Sequence, residues 1–250
     1  MRKRVIVLGG SSGIGKAIAE RFAREGWQVI VSSCNSAANQ KTVGGLTGEG
    51  HIAIDADITS DEQMDNLKQS LKQNLTGFDV LVNSVGISKN IPVLGADFSE
   101  WNDSLQVMLY GTVKACRSLI PLLEDGGRII HITSIHHERV AKGSSAYGMA
   151  KAAVTQLTRS LALELAPRNI LANTIAPGFV DTPMSIKADG KSELNSEWFK
   201  HNYINYDHLP LKRAASPEEI AGVAWFSAGP DASYMTCSVV TVDGGLTITF

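Results

Sequence analysis

At 250 residues, with 44% hydrophobic side chains, the chain has room for one large domain with a substantial core. Its 23 basic and 25 acidic residues nearly balance and form no polybasic run, which removes any electrostatic reason to expect nucleic acid or an anionic membrane and leaves a small-molecule substrate as the expected partner. Cys34, Cys116 and Cys237 are scattered and form no disulfide framework, the apolar run after Arg4 is too short for a secretion signal, and no window holds a membrane-length apolar span, so a cytoplasmic location is expected.

In chain order, Val5 to Leu8 reads as a buried strand and Gly13 to Arg24 as a helix, with Ile14, Ala17, Ile18 and Phe22 on one face and Gly26 at its end. Gln28 to Ser32 and His51 to Asp55 are the next strands, Ser60 caps a helix carrying Met64, Leu67 and Leu71, and Phe78 to Asn83 is strand four. A long helical pattern covers Trp101 to Leu123, followed by a strand at Arg128 to Thr133, a helix at Ala146 to Leu165 and a strand at Ile170 to Ala176. The segment 178–209 then breaks the alternation. It is polar and aromatic, with Trp198, Phe199, Tyr203 and Tyr206, and its length predicts a substrate lid. A helix from Pro217 to Ser227 and a last strand at Ser238 to Val242 close the pattern. Near-continuous Val/Ile strands alternating with helices predict an α/β fold: one domain over 1–250, a doubly wound parallel sheet of Rossmann type with about seven strands and helices on both faces.

Between the first strand and first helix lies Gly9-Gly10-Ser11-Ser12-Gly13-Ile14-Gly15. A strand that turns tightly into a helix, with backbone free to approach a pyrophosphate and a helix N-terminus behind it, needs small residues at such positions. The segment is therefore expected to bind the pyrophosphate of a dinucleotide. Tyr147 and Lys151, four apart on a predicted helix, project from one face, and Ser134 ends the preceding strand. Moving a proton on or off an alcohol oxygen while hydride is transferred calls for a general acid/base, and a nearby ammonium favours the phenolate of a tyrosine.

Gly9/Gly13/Gly15, Asp57, Asn83-Ser84-Val85-Gly86, Ser134, Tyr147-x-x-x-Lys151 and Pro177-Gly178 with Thr182 occur in this order over nearly the whole chain, which in these motifs resembles the short-chain dehydrogenase/reductase family. The resemblance implies Ser134, Tyr147 and Lys151 as catalytic residues, with Lys151 also holding the nicotinamide ribose. It implies Asp57 and Ile58 at the adenine edge, Asn83 and Gly86 along the cofactor, and Val180 and Thr182 near the nicotinamide. Ser11, Ser12, Ile14, Pro177 and Gly178 complete the expected cofactor contacts. Ser32-Ser33-Cys34-Asn35-Ser36 carries no acid at the end of strand two, so Ser33 and Asn35 are expected to donate to a 2′-phosphate: NADP is preferred and NAD is also accommodated.

The family's helix asparagine, which positions a water beside the lysine, falls here on Met108, and a thioether fills that role poorly. Ser134-Ile135-His136, Asp181-Thr182-Pro183-Met184 and the ending Val242-Asp243-Gly244-Gly245-Leu246-Thr247 are similar to sugar dehydrogenases of the glucose 1-dehydrogenase type. The expected reaction is thus hydride transfer between NAD(P) and the alcohol or carbonyl of a sugar, polyol or related cyclic alcohol. Ser134, His136 and His137 are expected on the substrate side, with Trp198, Tyr203 and Tyr206 as stacking or hydroxyl partners. A 3-oxoacyl thioester reductase is the alternative enzyme, and a non-catalytic dinucleotide-binding regulatory protein the alternative of another class. No zinc spacing accompanies His131, His136, His137 and Glu138, and no metal is expected. The resemblance also implies a homotetramer, and the Trp101 to Leu123 pattern is apolar over more than one stripe, as a helix buried on a second side would be.

Overall fold

A computed structural model describes residues 2–187 and 189–249 of the chain. Seven strands, all paired in parallel, form one sheet in the order β3-β2-β1-β4-β5-β6-β7. They are β1 (Arg4–Leu8), β2 (Gln28–Ser33), β3 (Ile52–Asp55), β4 (Phe78–Asn83), β5 (Leu123–Ile132), β6 (Leu171–Pro177) and β7 (Val239–Val242). The order reverses between β1 and β4, so the crevice at their carboxyl ends is the topological switch point where such sheets bind ligands.

Alternate strand residues feed two cores, as expected for a sheet covered on both faces. On one face Val5, Val7, Val29 and Val31 pack beneath α1 (Gly13–Arg24) and α8 (Pro217–Ala228). There Phe22, Trp27 and Trp225 meet edge to face, with ring centres 5.1 to 5.8 Å apart. On the other face Ile6, Leu8, Ile30 and Leu81 pack against α3 (Asp61–Asn74), α5 (Gly111–Leu119) and α6 (Ser145–Glu164).

Two local features depart from the sequence pattern. A short helix α2 (Ser36–Gly44), capped by the Asn35 side chain, fills a stretch with no amphipathic stripe. The expected single helix from Trp101 to Leu123 is instead α4 (Phe98–Leu105), a π-helical turn at Gln106–Tyr110, α5, and a short 3-10 turn before β5. The π turn coincides with a side-chain bond from Thr112 Oγ1 to the Met108 carbonyl at 2.6 Å, and with close packing of Gly111, where a Cβ would lie 2.6 Å from Ile58 Cγ1. In β5, Leu123 pairs with Phe78 before a register irregularity, and regular pairing resumes at the expected Arg128. The described residues of the connection 178–209 form short 3-10 turns, isolated bridges from Val180 to Ala215 and from Ile186 to Ser192, α7 (Glu197–Phe199) and a π turn at Lys200–Asn205.

Candidate active site

β1 ends in a turn built on glycine. Gly9 has φ of 72°, and a Cβ there would meet the Ser84 backbone at 2.9 Å. A Cβ on Gly15 would lie 2.2 Å from the Gly9 carbonyl oxygen, so the first turn of α1 can close onto the strand end only as glycine. Ser12 stands at the N-cap of α1 without a side-chain capping bond, which leaves the helix N–H groups turned to the crevice without a capping acceptor.

The crevice itself is a cleft of about 480 Å³. Of the expected cofactor contacts, Gly9, Ser11, Ser12, Gly13, Ile14, Ser33, Asn35, Asp57, Ile58, Gly86, Tyr147, Lys151 and Thr182 line it. Gly15 and Asn83 stand behind the wall. Asn83 Nδ2 donates to Thr112 Oγ1 at 2.9 Å and its Oδ1 accepts from the Val85 N–H at 3.1 Å, fixing the chain as it leaves β4. Pro177, Gly178 and Val180 line a neighbouring pocket. Asp57 holds its own loop, accepting from the Thr59 N–H and hydroxyl at 2.8 and 2.7 Å. Cys34, Ala38, Val107 and Met184, which motif spacing did not identify, also line the cleft.

The neighbouring pocket, about 190 Å³, shares Ile14, Thr133, Tyr147, Thr182 and Met184 with the cleft, so the two spaces meet at the Tyr147 side chain. Ser134 and His136 line it; His137 does not. The Tyr147 and Ser134 side chains both face this pocket, and Ser134 Oγ accepts from the His136 N–H at 3.2 Å. The His136 ring stands edge to face with Tyr147 at 5.6 Å. Trp198, Tyr203 and Tyr206 do not line the pocket as expected. Tyr203 packs on Phe179, Phe199 and Trp198, while Tyr206 packs between His201 and His208. These rings find aromatic or imidazole neighbours within their own segment, and Phe179, Met184, Leu194 and Leu246 take the pocket wall instead.

The electrostatics differ from the expected phenolate. Burial pushes the Tyr147 hydroxyl above the usual tyrosine value, and the Ser134 side chain only partly opposes it. Lys151 is almost fully buried, donates to the Ile132 carbonyl at 3.0 Å and is pushed down to about 8 by desolvation. Its ammonium thus sits under the tyrosine ring, 5.6 Å from the centre, rather than on the hydroxyl. Met108, 1% exposed on the π turn, lies behind Gly86, whose Cβ would fall 3.5 Å from Lys151 Nζ and 3.9 Å from Met108 Sδ.

These residues suit a nicotinamide dinucleotide. A side chain at Gly9 or Gly15 would collide with backbone in the phosphate turn, Gly86 and Lys151 line the cleft side by side, and Ser32 Oγ is buried without a partner in a residue that lines the cleft. His131, by contrast, is fully buried away from both spaces, with Nδ1 2.8 Å from Thr158 Oγ1 and Nε2 3.6 Å from Cys116 Sγ. Among the described residues no cluster of three potential metal ligands occurs.

The family model described as enoyl-(acyl carrier protein) reductase matches residues 9–247. The 3-oxoacyl-(acyl-carrier-protein) reductase FabG of Chlamydia pneumoniae is 34% identical over 249 residues, covering 98% of this chain and 97% of the relative. Carbonyl reductase family member 4 of Xenopus laevis is 33% identical, covering 98% of each chain. Among solved structures, a dehydrogenase/reductase from Sinorhizobium meliloti superposes with a TM-score of 0.86 at 33% identity, covering 98% of this chain and 94% of the other. The aldohexose dehydrogenase of Thermoplasma acidophilum also gives 0.86, at 32% identity, with 100% and 95% covered. With the cleft, the serine-tyrosine pair and these full-length likenesses in agreement, the chain belongs to the short-chain dehydrogenase/reductase family and is an NAD(P)-dependent oxidoreductase.

Proposed function

We propose that the chain reduces the carbonyl of a compact substrate with a largely apolar flank, of the 3-oxoacyl thioester kind, using NADPH in preference to NADH. The observation that carries this reading is the wall of the pocket beside Tyr147. Ile135, Phe179, Val180, Met184, Leu194 and Leu246 line it, and the aromatic residues that would partner a polyol pack elsewhere. The relatives named as 3-oxoacyl-(acyl-carrier-protein) reductases support it. When bound, the dinucleotide supplies the hydride. Ser134 orients the carbonyl oxygen, and the Tyr147 hydroxyl, kept protonated by burial, donates its proton to the oxygen as charge develops there. Lys151, anchored on the Ile132 carbonyl, presents its remaining N–H groups to the cleft.

The cofactor preference rests on the end of β2, where Ser33, Cys34 and Asn35 line the cleft and no acid opposes a 2′-phosphate. The Ser33 hydroxyl is not the donor expected from sequence, because Asn39 Oδ1 already takes its proton at 2.6 Å. Without a cation in place, the preference is modest and NADH is also used. A second reading, oxidation of a sugar or polyol, is favoured by His136 and Glu193 in the same pocket and by the likeness to the aldohexose dehydrogenase. Following reduced nicotinamide absorbance with NADPH and NADH against acetoacetyl thioesters, and with NADP+ and NAD+ against aldohexoses and polyols, separates the two. Turnover confined to the sugars refutes the first. A homotetramer formed through α4 to α6 is part of the proposal, supported by exposed Phe98, Tyr110, Met149 and Leu163; sedimentation as a monomer contradicts it.

A further inference from the structure

At the adenosine end of the cleft, four polar side chains from four segments form one hydrogen-bonded chain. Ser11, in the glycine turn, donates from Oγ to Ser33 Oγ at 2.9 Å, and Ser33 donates onward to Asn39 Oδ1 at 2.6 Å. Asn39 Nδ2 donates to the Ser33 carbonyl at 2.9 Å and to the Asp55 carboxylate at 2.8 Å. Ser33 Oγ also accepts from the Asn35 N–H at 3.2 Å, so its one proton and both lone pairs are engaged. Asn39 is fully buried on α2, whereas Asp55 is an exposed residue at the end of β3.

Asp55 is the acid to weigh here. It pairs with Ser33 across the β2-β3 ladder, and Ala56, Asp57 and Ile58, the next residues along, line the cleft. Asn39 Nδ2 touches both the Ser33 carbonyl and Asp55 Oδ1, which keeps this carboxylate on the α2 side of the β2 end. A carboxylate free at this end of the cleft would accept from ribose hydroxyls and repel a 2′-phosphate.

We propose that Asn39 is a positioning residue for cofactor choice: by holding the Asp55 carboxylate on the α2 side it withholds the acid that would otherwise select the unphosphorylated ribose. The inference rests on the NADPH preference proposed above. Its consequence is that a substitution on α2, outside the phosphate turn and the end of β2, changes which dinucleotide is bound.

Calorimetric titration of the full chain with NADP+ and with NAD+ tests it without recourse to turnover. In a Ser33→Ala background, which removes the hydroxyl that loss of Asn39 would free to donate to a 2′-phosphate, Asn39→Ala moves the ratio of the two dissociation constants toward NAD+ by about tenfold, as expected for a charge released beside the ribose. Asp55→Asn added alone to that background, which keeps an oxygen for Asn39 to hold, leaves the ratio at or above the Ser33→Ala preference for NADP+. The double variant Asn39→Ala/Asp55→Asn returns the ratio to that range. Equal weakening of both cofactors in Asn39→Ala, as from a merely structural role, overturns the proposal, and so does a shift that persists in the double variant. A wild-type chain that binds NAD+ more tightly than NADP+ overturns the cofactor preference, while the role of Asn39 still stands or falls on the change in ratio.

Discussion

The Lys151 ammonium gives its hydrogen bond to the Ile132 carbonyl at 3.0 Å and stands 5.6 Å from the centre of the Tyr147 ring. Lysine and tyrosine both project from α6, and the lysine is tied from there to β5. Burial acts on the two groups in the same sense, because it disfavours the charged form of each: it raises the phenol and lowers the ammonium to about 8.

That lowering predicts a pH dependence for the free enzyme. Lys151 is charged below about 8 and neutral above it, so kcat/KM for carbonyl reduction falls as pH rises through that value. Tyr147, shifted upward, stays protonated over the same interval. A profile from initial rates with a limb near that value agrees; a flat profile there contradicts the placement of Lys151.

His131 makes a second, independent pH prediction, for stability. Full burial and the neighbouring Lys151 charge push it down to about 4, so the unfolded chain takes up a proton on this residue before the folded chain does. Stability from this group is present above the ordinary histidine value and is lost as pH falls toward the folded value. Denaturant unfolding should lose roughly 2 kcal/mol between about pH 7 and about pH 5 on this account alone. His131→Asn should be less stable near neutrality yet show a shallower loss on acidification.

The glycine turn predicts a graded response to added methyl groups. Gly15→Ala places a Cβ 2.2 Å from the Gly9 carbonyl, which the backbone must move to admit, and dinucleotide affinity should fall by at least a hundredfold or the chain should fail to fold. Gly26→Ala meets nothing within 4 Å and leaves the cleft intact, although its φ of 82° costs stability, roughly 1 kcal/mol. Cofactor titration and thermal melting of the two variants distinguish a blocked site from a strained loop.

Much of this arrangement is legible in the sequence, because it rests on short-range rules. The helix Gly13–Arg24 and strand Phe78–Asn83 fall at their expected residues, since an apolar stripe or run is bounded there by glycine or a polar turn. Helix α2 was not legible, since Ser36 to Gly44 buries only Asn39 and Thr42 and carries no stripe. The π turn at Gln106–Tyr110 depends on Thr112 and on the contact of Gly111 with Ile58, which no periodicity records. Ser134, Tyr147 and Lys151 could be named because their motifs, in order with the glycine turn, resemble those of the family. The exclusion of Trp198, Tyr203 and Tyr206 from the pocket depends on which way rings turn within a long connection. Likewise, the engagement of Ser33 by Asn39 belongs to tertiary structure, because sequence shows a free hydroxyl where the fold has already paired it.

In the proposed reaction the Tyr147 hydroxyl delivers the proton to the carbonyl oxygen, which Ser134 orients. The most direct measurement is the single-turnover rate of Tyr147→Phe with saturating reduced cofactor, beside cofactor affinity determined on the same preparation. The rate should fall by roughly 10²–10⁴-fold, the usual worth of a general acid, with cofactor affinity changed by no more than about threefold. A variant that binds cofactor normally and reduces substrate at the wild-type rate would contradict the account.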